Sequence, residues 1–287
     1  MAVTESFLLA LFSMFSWGIA DFIVVHPVRK IGSIRTLVIG QVAIFFMMLA
    51  YMLAFPGTIH FSGQSLLISF PPAFLMILGF LALYKGLRIG KVALVAPVVS
   101  SWSLVTVVIG FLVFHQIPTL NQAAAALLIV SGIFMAVVKV SEARSSIKKH
   151  AMKGSSEALL SMVFFGSSLA FGKVAIDEVG WLSATFLFSI WQTLMIAILF
   201  FPKMRDKAKV GLKYILIAAA SGVLNFLGGL AYNLGISGEY LSVVSPIASA
   251  SVLITVVLSF AILKERLTKL QYIGVLSVIS GIIIMAI

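Results

Sequence analysis

The chain has 287 residues, of which 61% are hydrophobic and only 10% are charged. A soluble protein cannot bury so large an apolar fraction, so the composition predicts an integral membrane protein with many spans. The net charge of +11 raises nucleic acid or acidic molecules as partners, while the absence of cysteine excludes disulfides and thiolate chemistry.

The apolar residues fall into ten stretches, and a membrane-spanning helix needs about 20 of them. The first stretch is interpreted as a retained span and not a signal peptide, because no basic residue precedes it. Proline, glycine and other turn formers separate the stretches. The predicted spans are 6–25, 34–55, 66–87, 92–114, 121–140, 155–174, 181–201, 213–235, 241–263 and 268–287.

Lysine and arginine occur almost only in every second connection, after the first, third, fifth, seventh and ninth spans. Cytoplasmic loops of membrane proteins are enriched in these residues, so these connections are predicted to be cytoplasmic and both termini external. The basic charge is thereby explained by membrane topology, and no nucleic-acid partner is predicted. The residues concerned are Arg29, Lys30, Arg35, Lys85, Arg88, Lys91, Lys139, Arg144, Lys148, Lys149, Lys153, Lys203, Arg205, Lys207, Lys209, Lys213, Lys264, Arg266 and Lys269.

The fourth and fifth predicted spans are repeated, without a gap, as the ninth and tenth. Pro97 corresponds to Pro246 and Ser100 to Ser249. So long a match indicates duplication of one unit and not shared composition alone. Further matching pairs are Leu104/Leu253, Thr106/Thr255, Phe111/Phe260, Thr119/Thr268, Gln122/Gln271, Ser131/Ser280, Gly132/Gly281 and Ile133/Ile282.

Charge changes sides between the two copies, since Arg29-Lys30 corresponds to Asp177-Glu178. A unit with an odd number of spans must insert its second copy upside down. The predicted fold is therefore an all-α membrane protein of ten transmembrane helices in two five-helix inverted repeats. The repeats are predicted at 1–140 and 155–287, joined by a cytoplasmic linker at 141–154.

These features resemble the EamA family of the drug/metabolite transporter superfamily. The resemblance rests on Trp17-Gly18 in the first span, the prolines of the fourth and ninth spans, and the Lys264-Glu265-Arg266-Leu267-Thr268 motif near the end. It implies a secondary transporter, in a family with many exporters of amino acids, other small metabolites or toxic organic compounds. The sequence departs from this family in two respects. The first copy has His115-Gln116 where relatives usually have an acidic residue, and its termini are predicted to be external, whereas many relatives are expected to have them inside.

Inverted-repeat transporters bind substrate near the middle of the membrane, between the two halves. Asp21 is the sharpest candidate, because its carboxylate lies one helical turn after the Trp17 ring. It could bind a proton, or the amine of a cationic substrate against the indole. The alternative is a structural ion pair with Lys85 or Arg88.

Other polar or aromatic residues within the spans are candidates for the same cavity. Tyr84 and Tyr232 occupy matching places, with interfacial anchoring as the alternative, and close helix packing is the alternative for the serines. Pro97 and Pro246 are candidate helix hinges, because proline frees a main-chain carbonyl. The complete set of predicted substrate-binding residues is Trp17, Asp21, Gln41, Tyr84, Ser100, Trp102, Gln192, Asn225, Tyr232, Asn233 and Ser249.

Lys173, near the external end of the sixth span, is predicted to reach the interface or to pair with Asp177 one turn later. Binding of a substrate carboxylate is its less favoured role.

Several other classes of function lack the residues they need. There is no phosphate-binding Gly-Lys-Ser/Thr loop, no cluster of catalytic groups and no channel filter motif, and the four histidines show no metal-ligand spacing. Neither an enzyme, a cofactor nor a metal site is predicted.

The sequence predicts a secondary transporter in the cytoplasmic membrane that exports amino acids or related amphipathic compounds by alternating access. An importer of a sugar, a nucleoside or a quaternary amine is the first alternative, and a membrane scaffold or sensor without transport is the second. The expected partners are a small-molecule substrate and the lipid bilayer, with the chain as a monomer or homodimer.

Overall fold

The computed structural model describes residues 3–59, 61–89, 95, 98–137, 154–200, 210–238, 241–263 and 268–286. Every regular element in these ranges is a helix. Most of the predicted linker and the predicted hinge Pro97 lie outside the described residues. The helices are α1 Val3–Ile31, α2 Ser33–Ala54, α3 Gly63–Ile89, α4 Trp102–Phe114, α5 Leu120–Val137, α6 Ser155–Val179, α7 Trp181–Phe200, α8 Leu212–Ile236, α9 Leu241–Ser249, α10 Ser251–Leu263 and α11 Lys269–Ala286.

Six helices, α1, α2, α3, α6, α7 and α8, are long and apolar enough to cross a membrane by length and composition. The other four predicted spans correspond to shorter apolar segments, so their crossing of the membrane stays a prediction. These segments are Val98–Phe114, Leu120–Met135, Leu241–Thr255 and Lys269–Ile284.

Large apolar side chains cover the outside of the helices as well as the inside. Leu53, Leu67 and Ile198 are 74%, 76% and 71% exposed, which suits a surface in contact with lipid. The largest buried cluster joins both halves and includes Trp102 of α4 and Tyr232 of α8.

The repeated Thr-x-x-Gln motif begins α5 and α11 in the same way. The Thr119 N–H donates to Gln122 Oε1 at 3.0 Å, and the Gln122 N–H donates back to Thr119 Oγ1 at 3.3 Å. Thr268 and Gln271 make the same two bonds at 2.9 and 3.4 Å. Each pair is a reciprocal helix cap, so this part of the motif fixes where the last helix of each half starts.

The ninth span is interrupted at Ala250, one turn after Pro246. In a continuous α-helix the Ala250 N–H would donate to the Pro246 carbonyl, but here it donates to Ile247 O at 3.1 Å. The Ser249 hydroxyl donates to the Pro246 carbonyl instead, at 2.8 Å. The serine hydroxyl thus replaces a main-chain donor and lets the helix tighten locally.

The fourth span is interrupted at the equivalent residue, Ser101. Its N–H donates to Val98 O at 3.2 Å, and the Leu104 N–H donates to Ser101 O at 3.0 Å. The two copies therefore share a broken helix whose break follows the proline position by one turn. Bending at these breaks stays a prediction.

Some contacts between the halves occur twice, with the roles of the two halves exchanged; we call these exchanged pairs. The Ser13 hydroxyl of α1 donates to Gly228 O of α8 at 2.9 Å, and its counterpart Ser161 of α6 donates to Gly79 O of α3 at 3.0 Å. Each partner in one pair has its sequence equivalent in the other pair, on the opposite half. This exchange is what a two-fold relationship between the halves produces.

A second exchanged pair brings main chains together at glycine. The Thr255 hydroxyl of α10 donates to Gly18 O at 3.0 Å, and Thr106 of α4 donates to Gly166 O at 3.1 Å. A methyl group added at either glycine would overlap a main-chain carbonyl of the facing helix. Only glycine allows the two helices to lie this close.

Alanine at Gly18 or Gly166 is therefore expected to destabilise the protein by about 1–3 kcal/mol, because the facing helices must separate. The two variants should lose similar stability, since their surroundings are equivalent. Thermal unfolding followed by tryptophan fluorescence in detergent measures the effect. Gly229→Ala is the control, because Gly229 lies inside α8 with open space beside it. Wild-type stability in Gly18→Ala would contradict the close contact.

Candidate functional site

A cavity of about 250 Å³ lies between the two halves. Its wall is formed mainly by α1, α2 and α3 from the first half and by α6, α7 and α8 from the second. One end of the cavity lies near the connections that carry lysine and arginine. At this end the wall includes Val24, Thr36 and Leu83, each within about two turns of the helix end that joins such a connection. Beyond Asn233, in the other direction, residues such as Ile236 are fully buried.

Most of the predicted substrate-binding residues lie together on this wall. Binding of substrate by these residues stays a prediction, but their convergence is a feature of the fold. The predicted residues that line the cavity are Trp17, Asp21, Gln41, Ser100, Trp102, Gln192, Asn225 and Asn233.

The other three predicted residues have different placements. Tyr232 is fully buried behind the wall, and Ser249 is fully buried with its hydroxyl bonded to the Pro246 carbonyl. We therefore assign both a supporting position and not a lining one. The side chain of Tyr84 lies outside the described part of the chain.

Three aromatic rings form a rigid cluster at the cavity wall. The Trp17 ring lies 6.0 Å from Trp102 in an edge-to-face arrangement and 5.5 Å from Tyr232, measured between centroids. The Trp17 Nε1 donates to the main-chain O of Asn225 at 3.0 Å, and the Tyr232 hydroxyl shares a 2.7 Å hydrogen bond with Ser245. These two bonds hold the Trp17 and Tyr232 rings in place, and the faces of the rings present an apolar surface.

Asp21 is exposed to the cavity. Among the residues that the structure describes, it has no ion-pair or hydrogen-bond partner. Lys85, one of its predicted structural partners, binds Glu157 Oε1 at 2.9 Å instead. The side chain of Arg88 is not described. A carboxylate in this position is available to a ligand.

The amide of Gln41 uses both of its N–H groups within the protein. Its Nε2 donates to Ser189 O at 3.3 Å and to Thr193 Oγ1 at 2.8 Å. These bonds join α2 to α7, which are equivalent helices of the two halves, and they fix the orientation of the amide.

Both asparagines of the wall are also held by their amide nitrogens. Asn225 Nδ2 donates to Ser221 O at 3.1 Å, and Asn233 Nδ2 donates to Thr185 Oγ1 at 2.8 Å. The Thr185 hydroxyl gives its own proton to Trp181 O at 2.7 Å. Each bond uses one of the two amide hydrogens, and the other hydrogen and the amide oxygen have no partner among the described residues.

The sequence analysis missed several lining residues of the second half, including Phe165, Leu169 and Ser168. Phe165 is equivalent to Trp17 and Leu169 to Asp21 in the repeat. The two aromatic rings even lie against equivalent glycines, since an added methyl at Gly228 would overlap Trp17 and one at Gly79 would overlap Phe165. Extending the repeat alignment to the first and sixth spans would have identified them.

Lys173 lies off the described cavity wall and is almost fully buried. Its Nζ pairs with Asp177 Oδ1 at 2.9 Å, as predicted, and donates to Ile236 O at the end of α8 at 3.4 Å. The lysine thus joins α6 to α8 on the sealed side of the cavity.

Comparison with known proteins is consistent with this architecture. The sequence model of the EamA-like transporter family matches residues 5–138 and again residues 152–287. The chain therefore belongs to the EamA-like transporter family, and the predicted resemblance is confirmed. This family places it among multi-pass membrane transporters of the drug/metabolite type.

One solved structure, described only as the crystal structure of a protein, superimposes with a TM-score of 0.75. The match covers 99% of this chain and 98% of the other at 12% sequence identity, so it shows a shared fold. No curated protein sequence matches this chain significantly.

Single cysteines test the cavity, because the natural chain has none. Ser100 lines the cavity, whereas its repeat equivalent Ser249 is fully buried. A water-soluble maleimide should modify Ser100→Cys in the folded protein and modify Ser249→Cys at least about tenfold more slowly, since that reaction requires local opening. Both should react equally after denaturation. Equal rates in the folded protein would show that the cavity is not placed as described.

Proposed function

We propose that this protein is a secondary transporter that exports small organic metabolites, amino acids or related amphipathic compounds, across the cytoplasmic membrane. The observation that carries the proposal is Asp21, which has no ion-pair or hydrogen-bond partner among the described residues and lines, together with Trp17, a cavity built by both halves. A carboxylate inside a membrane protein is costly unless a ligand, a proton or water satisfies it.

The proposed architecture has ten spans in two inverted repeats. Support comes from the exchanged contacts Ser13–Gly228 and Ser161–Gly79, and from basic residues that change sides between the copies. If all five helices of each half cross the bilayer, the second half enters it with the opposite orientation.

Alternating access is the proposed mechanism. The cavity extends along α1, α2 and α3 toward their basic ends, while the opposite end is closed by buried residues and by the bond from Lys173 to Ile236 O. Because the halves make equivalent contacts, rocking one against the other would open the second side and close the first.

Uptake of a quaternary amine is the second candidate, since a carboxylate and aromatic rings are the groups that hold such a cation. Sugars or nucleosides are less well matched, because they do not use the charge of Asp21. A scaffold or sensor without transport is less well supported, since Lys85, one of the two predicted structural partners of Asp21, pairs with Glu157 instead.

Counterflow into liposomes tests the proposal. Purified protein should exchange at least one labelled compound from a pool of amino acids, amines, nucleosides and sugars. Asp21→Asn is expected to lower that exchange by about tenfold or more, because an ionic hydrogen bond is lost. If Asp21 also binds the coupled proton, the remaining exchange should no longer depend on pH.

Glu178→Gln is the matched control, because it removes an exposed carboxylate at the end of α6. Wild-type exchange in this variant separates the effect of Asp21 from a general loss of charge. No exchange of any compound by folded protein would contradict transport.

Topology is tested separately on intact cells with a membrane-impermeant maleimide. Thr58→Cys, in the connection between α2 and α3, should react, whereas Ser145→Cys, in the predicted cytoplasmic linker, should react only after permeabilisation. The reverse pattern would show that the chain has the opposite orientation. Both variants after detergent treatment serve as the labelling control.

A further inference from the structure

The cavity wall presents hydrogen-bond acceptors to a ligand. The two N–H groups of Gln41 are bound to Ser189 O and to the Thr193 hydroxyl. A carbonyl oxygen can only accept, so the nitrogen of the amide must face Ser189 and its oxygen remains free. This side chain can offer a ligand nothing but an acceptor.

Asn233 and Asn225 are oriented by the same reasoning. Thr185 has given its proton to Trp181 O, so its hydroxyl can only accept from Asn233. The main-chain O of Ser221 likewise requires the nitrogen of Asn225. In both residues one N–H is consumed and the amide oxygen is left with its lone pairs.

Three hydroxyl groups of the wall also donate their protons to main-chain carbonyls. Ser168 donates to Pro72 O at 2.7 Å, Ser221 to Ala20 O at 3.1 Å, and Thr36 to Gly32 O at 2.9 Å. A hydroxyl has one proton and two lone pairs, so these groups too can only accept from a ligand.

Few donors remain on the described wall. They are the Nε1–H of Trp102, the Gln192 amide and the hydroxyls of Ser100, Ser189 and Ser251, besides one N–H of each asparagine. The one charged side chain among the described lining residues is Asp21. Its repeat equivalent is Leu169, so the negative charge is confined to one half of the cavity.

We infer that the cavity selects compounds with a primary ammonium, or a similar N–H-rich cation, on a small apolar body. The inference rests on the proposed function and, within its class of small organic metabolites, moves the favoured substrate from amino acids to amines. An ammonium group supplies three donors to Asp21 and the neighbouring amide oxygens, while the body packs on Trp17 and Trp102. A carboxylate meets no positively charged side chain among the described lining residues, and a quaternary ammonium has no N–H to donate.

Amino acids are therefore poorer ligands than the amines that lack their carboxylate. Decarboxylation removes the anionic group, for which the described lining residues hold no cation, and keeps the ammonium group, which Asp21 can pair. The cavity therefore favours primary amines over two of the earlier candidates, the zwitterionic amino acids and the quaternary amines.

The inference is tested with a series of ligands that share one apolar group, phenylethyl or its close analogue, and differ in their polar head group. The probes are phenethylamine, phenethyltrimethylammonium, phenylalanine, 3-phenylpropionate and 2-phenylethanol. Binding to purified protein is followed by tryptophan fluorescence, since Trp17 and Trp102 lie on the wall. Phenethylamine should bind at least about tenfold more tightly than each other probe, because its charged hydrogen bonds are each worth about that factor.

Asp21→Asn should reduce phenethylamine affinity by at least about tenfold and leave 2-phenylethanol affinity unchanged. The unchanged alcohol affinity shows that the variant cavity is intact. Glu178→Gln should behave like the wild-type protein. A parallel series on a hexyl body checks that the outcome does not depend on the phenyl ring.

Equal affinities, tighter binding of phenylalanine or 3-phenylpropionate, or no binding in either series would overturn the inference. Counterflow of the same compounds separates it from the proposed function. Exchange of anions without amine selectivity would overturn the inference and leave transport standing. Selective binding of phenethylamine without exchange of any compound would overturn transport and leave the selectivity of the cavity standing.

Discussion

Close approach of helices at glycine is the contact on which the rest of this structure depends. Apolar side chains gain little by leaving lipid for one another, so helices in a bilayer associate through tight packing and interhelical hydrogen bonds. Gly18 and Gly166 provide both, since the missing side chain lets a threonine of the facing helix bond their carbonyl oxygens. The residues next to these glycines, Trp17 and Phe165, are thereby directed into the cavity.

The cavity shows how a duplicated unit can enclose an asymmetric space. The frame is nearly symmetric, with Trp17 and Phe165 each lying against an equivalent glycine. The polar content is not symmetric, because Asp21 stands where the other half has Leu169. The duplication supplies two walls of similar shape, and divergence at a few positions gives one wall a charge and leaves the other apolar.

Sequence reasoning was most successful where a pattern reports local geometry or duplication. The one-turn spacing of Trp17 and Asp21 places both on the same face of α1, and the terminal repeat anticipated the equivalent helix breaks. Sequence reasoning could not predict which residues line the cavity and which lie behind its wall. The helices are apolar on every side, so no polar face marks the side that points inward. For this reason Tyr232 was predicted to line the cavity, although it lies behind the wall. Ser249 was also predicted to line the cavity, because the sequence gives no sign that its hydroxyl bonds the Pro246 carbonyl.

The bond between Lys173 and the Ile236 carbonyl makes the two ends of the cavity unequal. The position equivalent to Lys173 in the first half is Val25, so the basic end has no matching ionic bond from this position. In a carrier that alternates between two states, such a bond lowers the free energy of the state that it closes. If the protein alternates as proposed, its resting population is biased toward that state, and each opening of the sealed end must first break the bond. The asymmetry would then change how fast such a carrier cycles and not the final distribution of substrate, which the driving gradients set.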